Sequence, residues 1–188
     1  KDSPRGKDCI AGYSPPSDDF IDGQPREIEY DPNGEAVIAS LGPVIVDARR
    51  VELYNAHKLG RGLGDGQPSI DGEGYRDFLV STCAESFELR YYVGDELVGV
   101  AVTDRGRRSL SAVYCHYDPR YEALGIGTYS ILKQLELCKD WGISHLYLGL
   151  YIGESEHMAY KARFLPHERL VGGSWLRFDR PPAARVPV

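Results

Sequence analysis

Three short segments carry residue types that could act on a bound substrate. The first runs from Tyr117-Asp118-Pro119 through Leu124-Gly125-Ile126-Gly127-Thr128-Tyr129. Gly125 and Gly127 allow close approach of backbone to a ligand, and a helix starting there would offer unpaired N–H groups to an anion. A plain loop-to-helix turn uses glycines in the same way, and both readings stay open. The second segment is His145–Ile152, HLYLGLYI. Read as a strand, it places Tyr147, Gly149 and Tyr151 on one face and Leu146, Leu148 and Leu150 on the other. The leucine face reads as core. A glycine at a strand centre marks close approach of a ligand or backbone, so the tyrosine face is either an aromatic-walled groove or simple packing. The third segment is Met158–Pro166, MAYKARFLP. Met158 and Ala162, and Tyr160 and Phe164, sit four apart and form an apolar edge. Lys161 and Arg163 then project either toward a substrate or into solvent.

Other chemistry is not indicated. The five histidines are isolated in sequence, with no nucleophile or ligand partner at motif spacing. No nucleophile elbow, Walker loop or paired-acid signature occurs. Cys9, Cys83, Cys115 and Cys138 are scattered without a CxxC, so no metal site is expected and a reducing cytoplasm suits them. The net charge of −6 argues against a general nucleic-acid binder. A local basic patch at Arg105, Arg107 and Arg108 is the exception, unless it is only a solvated hairpin tip. No apolar run reaches the roughly 20 residues of a membrane span, and the first twenty residues lack the apolar core of a signal peptide.

The elements that must position these segments can be read from periodicity. Residues 1–46 read as an irregular arm with a hairpin around the turn Asp31-Pro32-Asn33-Gly34. Asp47–Lys58 reads as a helix capped by Asp47, and Gly74–Cys83 as a short second helix. Phe87–Val93, Leu97–Asp104 and Ser109–Asp118 read as an antiparallel meander. A helix is predicted from about Thr128 to Gly142, burying Ile131, Leu132, Leu135 and Cys138 and turning Lys133, Gln134, Glu136 and Lys139 outward. A strand, a short helix (155–164), a final strand or hairpin (167–178) and a tail (181–188) complete the order. These elements alone indicate an α/β or α+β chain with a mixed sheet.

Taken in order, Tyr117-Asp118-Pro119, Leu124–Ile131, Tyr147-Leu148-Gly149 and Met158–Pro166 resemble the C-terminal domain of aminoacyl-tRNA–protein transferases. These are the arginyltransferases of eukaryotes and the Asp/Glu-specific leucyltransferases of bacteria. The resemblance covers about seventy residues, with a weaker match at Val51–Lys58, VELYNAHK. It implies a GNAT-like twisted mixed sheet flanked by helices over residues 47–180. It also implies transfer of Arg or Leu from aminoacyl-tRNA, the co-substrate in place of a cofactor, to the α-amino group of an acceptor protein or peptide. The resemblance assigns catalysis to Asp118, Thr128 and Tyr160. Tyr117, Gly125, Gly127, Tyr129, Tyr147, Gly149, Tyr151, Lys161, Arg163 and Phe164 would bind substrate, with Lys161 and Arg163 on the tRNA backbone. Family members also carry an N-terminal region with clustered cysteines, and the corresponding stretch here holds only Cys9.

Three alternatives compete. An acyl-CoA-dependent GNAT N-acetyltransferase should have a basic or amide residue ahead of its glycine loop, which Tyr121–Gly127 lacks. A non-catalytic GNAT-like module would bind acidic protein N-termini without turnover. Transfer to a small molecule is the last.

Overall fold

The computed structural model describes residues 26–27, 37–64 and 66–180. The chain divides into two compact units, Lys1–Tyr147 and Leu148–Val188. No helix among the described residues is long and apolar enough to cross a membrane.

The first unit is built on a six-stranded mixed sheet in the order β1-β2-β3-β4-β5-β6. Its strands are β1 (Arg26–Glu27), β2 (Val37–Pro43), β3 (Glu85–Val93), β4 (Glu96–Arg105), β5 (Ser109–Tyr117) and β6 (His145–Tyr147). The expected meander is β3-β4-β5, all antiparallel, and β6 joins β5 in parallel. Arg26 and Glu27 pair with Ala39 and Ile38 as a hairpin would require, while the DPNG turn lies outside the described residues. β2 precedes the division expected at residue 46, yet it pairs with β3 over seven positions. Burial of Val37 and Ala39 in the core ties it there.

Two helices cover opposite faces. α1 (Ala48–Gly60) is capped by Asp47, whose side chain accepts the Arg50 N–H, as the sequence suggests. It buries Arg50, Leu53, Tyr54 and His57, one stripe at three- and four-residue spacing. The second helix begins as α2 (Gly72–Tyr75) and continues as a π-helical turn, Arg76–Val80. α1 and this turn pack on Val100 and Val102 of β4. α3 (Ile126–Asp140) packs on the other face with Phe87, Leu89, Tyr91, Val98 and Ala101.

The stripe of α3 differs from the one predicted. Ile126, Ser130, Gln134 and Leu137 face the sheet together with Tyr129, Ile131 and Lys133, whereas Leu132 and Leu135 are 45% and 42% exposed. Polar residues on this stripe are tolerated because they are partnered. Thr103 Oγ1 lies 3.2 Å from Gln134 Oε1, and Gln134 Nε2 donates to Ser130 Oγ at 3.1 Å.

Two bulges break the sheet's register. Tyr91 pairs with Gly99 but Tyr92 with Leu97, leaving Val98 as the extra residue of β4. Val102 pairs with Tyr114 but Thr103 with Ala112, leaving Val113 as the extra residue of β5. A bulge bends its strand and shifts the face of every later residue. Hence Leu110 before it and Cys115 and Tyr117 after it, despite opposite parity, all lie in the α3-side core.

The second unit holds α4 (Glu156–Ala159), a 3-10 turn (Tyr160–Arg163), and the hairpin of β7 (His167–Val171) and β8 (Ser174–Phe178). The hairpin turn is Gly172-Gly173, both at positive φ, as a two-residue hairpin connection demands. The strand predicted over His145–Ile152 stops at Tyr147. Gly149 adopts φ +75°, which ends the alternation, and Leu150 is 67% exposed rather than core.

Candidate functional site

β6 pairs with β5 only from Ser109 to Ser111. The Val113 bulge follows at once, and from Ala112 to Tyr117 the outer edge of β5 has no strand partner among the described residues. The backbone there is left to bond with something other than a strand. The open edge leads to Tyr117-Asp118-Pro119 and the first turn of α3.

Asp118 is held firmly. Its N–H donates to Val98 O at 2.8 Å, and its carboxylate accepts the Arg120 N–H at 3.0 Å, capping the 3-10 turn Pro119–Leu124. The Arg120 guanidinium adds bonds of 3.1 Å to both oxygens from Nε and 2.7 Å from Nη2, with Arg49 Nη2 3.6 Å away. Glu96 gathers the same two arginines, Arg49 at 2.9 Å and Arg120 at 2.8 Å, and accepts from the Tyr121 hydroxyl at 2.9 Å. Arg120's hydrogen bonds, outweighing the effect of burial, hold the Asp118 carboxyl below its usual range. A carboxylate so stabilised is a weak proton acceptor. Its visible work is to fix the turn, which bears on the catalytic role expected for it.

After that turn Gly125 takes φ +61°, and its carbonyl receives the N–H groups of Thr128 and Tyr129 at 2.9 and 3.0 Å. No side chain caps α3, and its first turn holds half-buried Gly127 and exposed Thr128. Gly99 allows α3 to sit this close: a Cβ there would come 3.0 Å from Tyr117 Cβ and 3.3 Å from Ile126 Cγ2. Gly127 faces Tyr117, at an ordinary 3.8 Å from where its Cβ would be to the ring's Cε1. Tyr117, Asp118, Gly125, Gly127 and Thr128 thus come together. Tyr129 does not join them as a substrate contact. It is buried against Tyr91 at 5.8 Å, and burial pushes its phenol up to about 12.

Histidines give the largest difference from the sequence reading. His57 and His116, isolated in sequence, lie beside one aromatic cluster of Tyr54, Tyr75, Tyr114 and Tyr117. The ring of His57 meets that of Tyr117 at 4.5 Å, and its Nδ1 accepts the Tyr117 N–H at 3.4 Å. His116 Nε2 lies 3.3 Å from the Tyr75 hydroxyl. Burial, then the Arg61 charge, lowers His57 to about 4. Burial, then neighbouring His57 and Arg50, lowers His116 to about 3. Both are neutral at physiological pH. No local motif signals the cluster, because its members are up to 63 positions apart.

Tyr147 is half-exposed and stacks with His145 at 6.3 Å. The other expected residues belong to the second unit. Lys161 Nζ donates to Leu150 O at 2.7 Å beside Gly149, and desolvation lowers its pKa. Tyr151 lies under the Arg169 guanidinium at 4.0 Å. Tyr160 and Phe164 meet edge-on at 6.5 Å, and Arg163 is exposed.

Residues 49–171, from α1 to the end of β7, match the family described as arginine-tRNA-protein transferase, C terminus. The chain belongs to this family. It is 42% identical over 123 residues to the aspartate/glutamate leucyltransferase of Thiobacillus denitrificans, covering 65% of this chain and 51% of that protein. The protein of the same description from Acinetobacter baylyi is 40% identical over 113 residues, covering 60% and 41%. That from Chromobacterium violaceum is 33% identical over 142 residues, covering 76% and 59%. The chain therefore spans about half the length of the curated relatives it matches. Among solved structures it is similar to the PaiA N-acetyltransferase of Thermoplasma acidophilum in complex with coenzyme A, with a TM-score of 0.49, 14% identity, and 74% and 96% of the two chains covered. A possible acetyltransferase from Clostridium difficile 630 gives a TM-score of 0.48 at 17% identity, covering 66% and 88%.

Proposed function

We propose that this chain carries the acyl-transfer part of an aminoacyl-tRNA–protein transferase. It moves leucine, by analogy with its relatives, or arginine to the α-amino group of an acceptor that begins with Asp or Glu. The observation that carries the proposal is the unpartnered edge of β5 leading to the uncapped start of α3, inside the stretch that the family match spans. The reaction asks for placement more than for a strong catalyst. The neutral α-amine attacks the carbonyl carbon of the aminoacyl ester. The C–O bond to the terminal ribose then breaks, the ribose oxygen takes the proton lost by the amine, and an amide remains. Donors aimed at the developing oxyanion lower the barrier, and the backbone N–H of half-buried Gly127 and the hydroxyl of exposed Thr128 are suited to this. Tyr117 backs Gly127, and Asp118 keeps the turn in register. Tyr147, Gly149, Tyr151, Tyr160, Lys161, Arg163 and Phe164 supply further substrate contacts. In the cell this activity would act in the cytoplasm and mark acceptors for degradation through the N-degron pathway.

The test is incubation with Leu-tRNA or Arg-tRNA and peptides beginning with Asp, Glu or Ala, followed by mass measurement. The expected result is one added leucine on the Asp and Glu peptides alone. Acetylation from acetyl-CoA with no gain from either tRNA overturns the proposal.

A further inference from the structure

The last turn of α1 is pressed against the open end of β5. A Cβ on Gly60 would come 2.7 Å from Pro119 Cγ, so the end of the helix lies directly on the Tyr117-Asp118-Pro119 turn. Arg61 follows at once and closes the helix. Its N–H donates to His57 O at 3.0 Å, and Gly62 at φ +64° turns the chain away. Its half-buried side chain stays among the rings that wall this end, where His57 meets Tyr117 at 4.5 Å and Tyr114 at 6.4 Å. The guanidinium is within hydrogen-bonding reach of the Tyr117 hydroxyl. Burial raises the pKa of Tyr114, Cys115 and Tyr117, and the Arg61 charge opposes it at all three. These three residues belong to Ala112–Tyr117, the stretch of β5 whose outer edge has no strand partner among the described residues. A cation therefore stands beside the edge that leads to the start of α3.

The setting indicates which anion it suits. A guanidinium carries five N–H donors in a planar fork, and one phenol engages only part of it. Shielded by rings, that fork matches the two oxygens of a carboxylate. A nucleic-acid backbone instead draws on several cations together. The other two arginines near this turn, Arg49 and Arg120, are bound to Glu96 and Asp118. The charge of Glu122 also reaches Tyr117, which disfavours a polyphosphate there further.

We propose that Arg61 sets acceptor specificity, pairing with the side-chain carboxylate of an N-terminal Asp or Glu whose α-amine faces the start of α3. This rests on the aminoacyl-transfer reading above and names the residue that reads the acceptor. The probes are a peptide with an unblocked N-terminal Asp and a C-terminal fluorescein, and its twin beginning with Asn. Each is titrated into the full chain and followed by anisotropy. The wild-type chain should bind the Asp peptide about 10- to 100-fold more tightly than the Asn peptide. Arg61→Gln should bring that ratio to about 1 while Asn-peptide affinity stays within about twofold, a split that a merely structural residue would not give. Arg61→Lys, which keeps the charge and loses the fork, should retain part of the ratio. An unchanged Asp preference in Arg61→Gln, equal loss of both peptides, or no preference in the wild-type chain overturns the assignment. So does weaker binding of a single-stranded RNA ending in CCA with the Asp preference intact, since Arg61 would then meet a phosphate. Aminoacyl transfer assayed in parallel separates the two claims. Transfer by Arg61→Gln that stays confined to acidic peptides removes the role of Arg61 alone. An Asp preference lost in Arg61→Gln, in a chain that transfers from neither tRNA, removes the function alone.

Discussion

The Tyr117 N–H is hydrogen-bonded to His57 Nδ1 at 3.4 Å, and the two rings meet at 4.5 Å, fixing α1 to the end of β5 where the glycine turn begins. Replacing His57 by Ala removes this acceptor and leaves a buried N–H without it, a loss of about 1–3 kcal/mol. His57→Asn keeps an acceptor and should recover part of that loss. Urea denaturation of the three proteins measures it.

The same burial makes stability depend on pH. The folded state holds His57 at about 4 and His116 at about 3, below an unfolded value of about 6.5. As pH falls below 6.5 the unfolded chain takes up protons that the folded chain refuses, so stability present above that pH is lost toward about 4. The slope is at most about 1.4 kcal/mol per unit for each histidine. Urea midpoints at pH 7.5, 6 and 5 should fall in that order, and His57→Asn should flatten the decline.

Gly99 and Gly127 separate packing from approach to substrate. Gly99→Ala forces a methyl to 3.0 Å from Tyr117 Cβ, so a loss of about 1–3 kcal/mol is expected by thermal denaturation. Gly127→Ala meets only an ordinary 3.8 Å contact inside a helix and should stabilise by up to about 1 kcal/mol. Its transfer rate should nevertheless drop, because the methyl occupies the approach to the first N–H groups of α3. Comparing melting temperature with kcat for the two variants checks the contrast.

Asp118→Asn keeps an oxygen for the Arg120 N–H but gives up the charge that holds Arg120 and Arg49. If the residue is a clamp, transfer should fall less than about tenfold, with an unchanged pH profile. Removal of a general base would instead lower it by about 10²–10⁴. Rates measured from pH 6 to 9 decide between the two.

The ion pair beneath α1 is the most sensitive point of the fold. Arg50 is 4% exposed, Glu88 is fully buried, and Arg50 Nε reaches Glu88 Oε2 at 3.0 Å. Glu88→Gln takes from the buried Arg50 guanidinium one of its two carboxylates, leaving Asp47, and removes the partner of Arg90, and should cost about 1–3 kcal/mol. The double change Arg50→Met with Glu88→Leu should cost less than Glu88→Gln alone, by urea denaturation.

Local chemistry made several elements legible from sequence alone. Asp47 announces α1 because a cap acts within three residues, and alternation marks β3, β4 and β5, while residues 167–178 read as either a strand or a hairpin until the positive φ of Gly172 and Gly173 decides for the hairpin. The ordered motifs from Tyr117 to Pro166 pointed to the family that the match over residues 49–171 shows. Long-range packing decided the rest. The Val113 bulge has no composition of its own, yet it turns Tyr117 to the α3 side and opens the edge of β5. The stripe of α3 was hidden because Ser130 and Gln134 are polar, and only their bonds to each other and to Thr103 let that side go inward. His57 and Tyr117 stand 60 positions apart, and their contact exists only once α1 lies across β5. Sequence carries what neighbours along the chain can enforce. Which side chains meet at the site is set by strand register and helix rotation, which many distant contacts determine together.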